Sequence, residues 1–436
     1  MAGRRAKKAV QRDWSSLPPE LLNLIAKNIS EISDFVRFRA VCTAWRFSIS
    51  TMDFPPQFPW ILKKHDYSYE NPMLFYSTTS SKIYTIHPPK YLDKRLVFGS
   101  SQGYILSGLY SSEHTCLISL LNPLNNHKIP LPALHFGDDL LWIGSQIYQI
   151  GNYMVYFGYR SRNGSKIAFC CLGQDKWRVL KLKLDYDNIE WFHLNSMLFG
   201  VMENTGVTKV IDMATGTLAY VIPPIDDYNL EINQCLVDAS GDILRVSRHN
   251  DYDEDKKEYE DCFHVYQLDL IGSSSPCWVK VNSIGNQALF IDQYGGFALG
   301  ASDISGVKAN CIYYINYYLV KKIDIETGDE EVLHCPLEPD RWFLPNLEPW
   351  FKNGRVRTDS QRTSRSLASW NGITKKNKKT MEKIGEVGLR NEREIEVSRR
   401  DMKKERHGGR EGGNCDVNER GRHLLWSQLI KPFMYN

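Results

Sequence analysis

Along the first fifty residues, apolar positions recur at the spacing of helical faces. Leu21, Leu22, Leu24, Ile25 and Ile29 define one such run. Ser15 and Ser16 are suited to capping it, and Pro18 and Pro19 to its first turn. A second helix, capped by Ser33 and Asp34, would carry Phe35, Phe38, Val41 and Cys42. A third, short helix would hold Trp45 and Ile49. Pro55, Pro56 and Pro59 end the helical region. From there the period shortens. Ile83–Ile86, Tyr104–Leu106, Tyr153–Phe157 and Cys311–Ile315 are short runs rich in β-branched and aromatic residues, separated by turn signals such as Arg162-Asn163-Gly164-Ser165 and Ala239-Ser240-Gly241-Asp242. Strands at this density predict a sandwich, a barrel or a propeller.

A degenerate internal repeat favours the propeller. Val210-Ile211-Asp212-Met213-Ala214-Thr215-Gly216-Thr217 resembles Lys322-Ile323-Asp324-Ile325-Glu326-Thr327-Gly328-Asp329, each a strand, a Thr-Gly turn and a returning strand. Val265–Asp269 looks like the first half of another copy, and Leu120–Leu124 with Lys128–Pro132 like a fourth; Trp177 and Trp278 fall where similar units would close. Asn122, Asp212, Asp269 and Asp324 are 90, 57 and 55 residues apart. Blades recur at roughly 40–50 residues, so the first interval holds two blades and the others one each. The fold class is therefore mainly β: a small helical N-terminus, then six or seven blades.

Charge divides the chain differently. Residues 1–12 carry five basic groups, and residues 355–423 carry 19 Lys/Arg against 11 Asp/Glu. The stretch between, 13–354, holds 29 basic and 40 acidic residues, a net of −11. An acidic body repels phosphates, so no nucleic-acid partner is expected. The basic runs Arg4-Arg5-Ala6-Lys7-Lys8 and Lys375–Lys379 fit nuclear import signals or solvated charge equally well. Residues 354–436 lose all hydrophobic pattern until His423–Trp426, which is too short for a domain. The domain reading is a basic arm (1–12), a helical unit (13–52), a propeller (56–353) and a basic tail (354–436). The ten Cys are scattered, with no Cys-x-x-Cys, as buried thiols of a reducing compartment would be. With no apolar signal segment and no run long enough to span a bilayer, the expected location is nucleus or cytoplasm, without a membrane partner, and the sequons at Asn28 and Asn163 are expected to be unused.

The N-terminal motif carries the sharpest signal. Leu17-Pro18, Leu21, Leu22 and Ile25 match Leu-Pro-x-x-Leu-Leu-x-x-Ile, and Arg39 to Arg46 match Arg-x-Val-Cys-x-x-Trp-Arg at every fixed position. Over about 40 residues this resembles an F-box. The resemblance implies docking on a Skp-family adaptor and, through it, a cullin scaffold. It assigns Leu17, Pro18, Leu21, Leu22, Ile25, Phe35 and Val41 to adaptor contact or its immediate support, and Phe38, Arg39, Cys42 and Trp45 to the unit's own core. Physics agrees: 40 residues in short helices make no self-sufficient core, so leftover apolar surface seeks a partner. The body is similar to the plant F-box proteins whose C-terminal domain is catalogued as domain of unknown function 295, a KIB-type β-propeller. Phe58-Pro59-Trp60-Ile61-Leu62, Gly99–Tyr104, Leu121-Asn122-Pro123-Leu124, Leu299–Asp303 and Lys308–Tyr314 carry that likeness, which ends near Trp342-Phe343-Leu344-Pro345.

Catalytic motifs fare poorly. Gly99-Ser100-Ser101-Gln102-Gly103 has the Gly-x-Ser-x-Gly pattern, but a strand follows the serine where a hydrolase elbow needs a helix. Asp251, Asp253 and Asp255 begin like a calcium loop, yet Lys256 and Cys262 stand where Gly and Glu are needed. No metal, cofactor or catalytic set is expected. The chain reads as a non-enzymatic substrate receptor of an SCF-type ubiquitin ligase. The alternatives are a propeller that binds or inhibits a partner without ligase coupling, and an enzyme using the propeller's central pocket.

Overall fold

The computed structural model describes residues 13–51, 54, 56–63, 72–87, 96–112, 115–135, 140–148, 154–161, 164–181, 189–194, 197–202, 205–213, 215–225, 231–253, 258–269, 276–316, 318–347, 351–352 and 355–356. The basic arm and nearly all of the basic tail lie outside these residues.

Three helices come first: α1 (Pro19–Lys27), α2 (Ile32–Arg39) and α3 (Thr43–Ser48). Their starts differ from the sequence reading. Ser15 and Ser16 belong to a separate 3-10 turn, Trp14–Ser16, capped by the Asp13 carboxylate, which accepts from the Ser15 amide at 3.0 Å. Pro18 occupies the cap position of α1 and Glu31 that of α2, neither with a side-chain cap, and Ser33 and Asp34 fall inside the first turn of α2. Proline supplies the entry geometry instead of a hydroxyl.

Six sheets follow. The first is β1 (Trp60–Lys63), β2 (Met73–Ser77) and β3 (Lys82–Ile86). The second is β4 (Leu96–Ser101), β5 (Tyr104–Ser112), β6 (Thr115–Asn122) and β7 (His127–Pro130), with β8 (Leu134–His135) also on β6. The third is β9 (Leu140–Tyr148), β10 (Met154–Ser161), β11 (Gly164–Cys171) and β12 (Arg178–Lys181). The fourth is β13 (Ile189–Leu194), β14 (Met197–Met202), β15 (Thr208–Asp212) and β16 (Thr217–Ile222). The fifth is β17 (Glu231–Ala239), β18 (Asp242–Asp253), β19 (Glu258–Asp269) and β20 (Cys277–Val281). The sixth holds β21 (Gln287–Asp292), β22 (Gly295–Gly300), β23 (Cys311–Ile315), β24 (Val320–Asp324) and β25 (Glu330–Leu333), in the order β22-β21-β23-β24-β25. It departs from the pure meander, because β21 pairs parallel with β23. Strand β26 (Pro339–Phe343) returns to pair antiparallel with β1, setting Ile61 opposite Trp342. The ring of six blades closes there. A short hairpin of Phe351–Lys352 with Arg355–Val356 comes after it.

The repeat has a physical basis. Asn122, Asp212, Asp269 and Asp324 each end the penultimate strand of a blade. The Asp324 carboxylate accepts from the Glu326 and Thr327 amides, and the Asn122 amide oxygen accepts from the Leu124 amide. At these two positions the Asx side chain holds the turn to the outer strand. Gly216 and Gly328 supply the left-handed backbone, at φ of 71° and 77°. The 90-residue interval spans the third blade, whose matching position escaped the pattern.

Burial follows a strand's place in its blade. Every residue of β23 is buried, because both faces of a central strand are covered by neighbouring blades. Outer strands such as β25 and β3 are largely exposed. Between blades, Phe58, Phe290, Tyr313 and Trp342 form one aromatic knot, with Phe290 and Tyr313 stacked at 4.6 Å. Trp342 anchors the closing strand there. Its indole donates to the carbonyls of Ile291 and Tyr313, and its amide to the Asp292 carboxylate at 3.0 Å. Burial pushes Asp292 up to about 6, against the pull of Arg341 and the Trp342 and Tyr294 amides.

The Gly-x-Ser-x-Gly stretch is a blade hairpin. Gln102 and Gly103 form the two-residue turn between β4 and β5, both with positive φ, and Ser100 Oγ donates to the Trp342 carbonyl. A Cβ on Gly103 would stand 2.4 Å from that of Asn346. Asp251 and Asp253 lie in strand β18, not in a calcium-binding loop; Asp255 falls outside the described residues.

Candidate adaptor-binding surface

The helical unit has two apolar faces. Inward, Leu22, Ala26, Ile32, Phe35, Trp45 and Ile49 are buried in one continuous core with Trp60, Leu62, Met73, Phe75, Ile105, Phe343 and Leu347 of the first two blades and the chain after β26. Trp60 stacks on Tyr84 at 4.3 Å, and Phe35 meets Phe54 at 4.8 Å. Polar contacts fix the same junction. Tyr84 Oη donates to the Glu31 carboxylate at 2.6 Å, and Lys82 Nζ lies 3.7 Å from it. Burial, reinforced by Glu31, pushes the Tyr84 phenol up to about 12. The helices are therefore part of the body.

Outward, α1 presents Leu21, Leu24 and Ile25, α2 presents Val36, and Val41 follows it; their exposures run from 43% to 60%. Phe47 on α3 is 88% exposed and Trp14 60%. Single exposed apolar residues are ordinary, but seven within a unit of about 40 residues are surface waiting for a partner.

The structure sorts the sequence-assigned residues by depth. Leu21, Ile25 and Val41 are on the outer surface. Pro18 is exposed at the start of α1, and Leu17 is half-buried beneath it. Leu22 and Phe35, at 1% and 0% exposure, are interior, so they can serve an adaptor only as support from below. Among the residues assigned to the core, Trp45 is buried, with its ring 4.6 Å from Phe38 and its Nε1 donating to the Trp14 carbonyl at 2.9 Å. Cys42 caps α3, Sγ accepting from the Trp45 amide. Arg39 Nε donates to the Ile49 carbonyl at 3.0 Å, tying α2 to the end of α3.

Trp14, Leu24, Val36 and Phe47 belong to the same outer surface and were not singled out from the sequence. A signal was present for Leu24. Leu21, Leu22, Leu24 and Ile25 cover too wide an arc of α1 for one buried stripe, which means apolar contact on two sides. Phe47 carries no such signal, since one aromatic residue in a six-residue helix has no periodicity to test.

Helices of this kind, seated on a propeller and apolar on their free side, define an F-box protein of the propeller type. Residues 14–57 match the F-box domain, and residues 75–336 match the KIB1-4 beta-propeller. The chain belongs to the KIB1-4 beta-propeller family. It is similar to several proteins of Arabidopsis thaliana. The probable F-box protein At4g22060 is 21% identical, covering 77% of this chain and 96% of the relative. The putative F-box protein At4g17565 is 25% identical over 77% and 95%. The F-box/kelch-repeat protein At1g57790 is 24% identical over 64% and 77%. F-box and propeller together make this a recognition adaptor in general character.

Proposed function

We propose that the protein is the substrate receptor of an SCF-type cullin–RING ubiquitin ligase. The outer face of α1–α3 docks a Skp-family adaptor, which bridges to the cullin, and the propeller holds a client protein for ubiquitination. The observation that carries this is the division of the helical unit: one apolar face is spent on the propeller and a second is left in solvent. Leu17, Pro18, Leu21, Ile25 and Val41, with Leu24, Val36, Phe47 and Trp14, supply adaptor contact, over Leu22 and Phe35. The receptor adds no reacting group. It acts by holding the client near a charged ubiquitin-conjugating enzyme, a proximity effect. Nine free thiols among the described residues support a reducing compartment, nucleus or cytoplasm.

The test is binding of the full-length protein to a recombinant Skp-type adaptor, beside a Leu21→Ala/Ile25→Ala variant. The expected result is tight binding that the variant weakens about tenfold or more, ~1.4 kcal/mol. A folded wild type that does not bind removes the ligase reading.

A further inference from the structure

The chain leaving β26 runs from the ring seam to the helical unit and belongs to the core of both. Trp342 sits in the ring-closing aromatic knot and Phe343 in the cluster beneath the helices. Leu344 then packs against the first and Leu347 against the second. Between them Pro345 is buried, and the Asn346 side chain donates to the Gln102 carbonyl of the β4–β5 turn at 3.4 Å. Gly103 of that turn has room for no Cβ because Asn346 lies against it.

Two asparagines at the β6–β7 turn hold this segment down. Asn122 Nδ2 donates to the Asn346 carbonyl at 2.7 Å, while its Oδ1 accepts from the Leu124 amide at 2.9 Å. Asn125 repeats the arrangement. Its Nδ2 donates to the Leu347 carbonyl at 3.1 Å, and its Oδ1 accepts from the His127 amide at 2.8 Å. Each side chain shapes its own turn with its oxygen and grips the passing chain with its nitrogen. A carboxylate can do the first and not the second. That accounts for an exception in the repeat. The position of Asn122 is taken by Asp212, Asp269 and Asp324 in the three other blades that carry it. The amide stands in the blade whose turn the chain from β26 crosses. Leu124 of the same turn packs against the cluster beneath the helices.

We infer that Leu344–Leu347 is a strap that couples closure of the ring to the seating of the helical unit, with Asn122 and Asn125 as its fasteners. Fastened, it carries Leu347 into the cluster with Leu22, Phe35 and Trp45. A ring that opens at β26 withdraws Phe343 and Leu347 together and takes away part of the surface on which the helices rest. Such coupling is reciprocal, so a partner that clamps the outer face of the helices also holds the seam between β26 and β1 shut. For the ligase this rests on the reading given above: adaptor capture and a closed propeller go together, so a receptor with an open ring has no firm docking face. The strap itself does not depend on that reading.

The experiment is amide hydrogen exchange on the full-length protein and three variants, with and without a recombinant Skp-type adaptor. Asn122→Asp and Asn125→Asp keep the acceptor for the turn and remove the donor to the strap. Asp324→Asn makes the converse exchange in the sixth blade and serves as the control. The expected result for Asn122→Asp is exchange about tenfold faster in α1–α3 and β26, with β13–β20 at the wild-type level. Asn125→Asp gives the same pattern more weakly, and Asp324→Asn leaves the helices unchanged. Adaptor slows exchange in β26 and β1 of the wild type as well as in the helices, and in Asn122→Asp only in the helices. If Asn122→Asp does not fold, because its carboxylate would be buried, Asn125→Asp at its exposed position decides. Exchange that rises evenly through all blades overturns the strap, as do helices equally protected in wild type and variants or equally loosened by Asp324→Asn. An adaptor that does not bind the wild type counts against the ligase reading, and the exchange pattern without adaptor still decides the strap.

Discussion

The helical unit and the propeller solve the same problem in opposite ways. The propeller buries its strands against one another and closes by returning β26 to β1, so its stability is internal. The helices are too few to enclose a core, so they borrow one: Leu22, Phe35 and Trp45 complete a cluster whose other half is Trp60, Phe75 and Phe343. The lesson is that an apolar residue in the helical unit has one of two destinations, inward to the blades or outward to a partner, and substitutions separate them.

Trp342→Ala should have the largest effect. It removes the closing strand's buried anchor and two indole hydrogen bonds, and should destabilise the whole body by about 3–5 kcal/mol, read as a lower denaturation midpoint. Adaptor binding would fall only with the folded fraction. Phe35→Ala should also cost about 3–5 kcal/mol, whereas Leu21→Ala should leave stability within about 0.5 kcal/mol while weakening adaptor binding. If both variants lost stability alike, the two-face distinction would be wrong.

The Asp292 carboxyl should make the closure pH-sensitive. Its folded value, about 6, lies above the ordinary 3.8, so the folded protein holds the proton more tightly than the unfolded chain. Stability from this group is therefore full at low pH and declines as pH rises between those values, by at most roughly 3 kcal/mol, and is flat above. Thermal unfolding across that window should show a steeper decline in wild type than in Asp292→Asn; parallel profiles would refute the assignment.

Among the buried contacts, Tyr84→Phe should have the smallest effect. Losing the bond to Glu31 should cost about 1 kcal/mol. Faster amide exchange should be confined to α1 and α2, with the far blades unchanged. Exchange that rises equally everywhere would show that the contact supports the body and not the junction.

Much of the fold was legible in residue order. The Asn122, Asp212, Asp269 and Asp324 spacing located the ends of four penultimate strands, and at Asn122 and Asp324 the reason is an Asx turn, which needs its side chain at one fixed position. The blade number was not: the third blade has no such residue, and β21 with β22 departs from the meander. The helix starts were misplaced because Ser15, Ser16, Ser33 and Asp34 all have capping chemistry, and which one caps depends on where the chain enters the packed unit.

The candidate surface divides likewise. Local chemistry alone determined that helices stand near the N-terminus, that strands follow, and that the Leu17–Arg46 motif is apolar beyond its own needs. Only the tertiary structure decided which of those apolar residues are interior, and that Leu24, Val36 and Phe47 join the outer face. Periodicity records which residues share a face, but what covers that face is set by segments hundreds of residues away, as Phe343 covers Phe75.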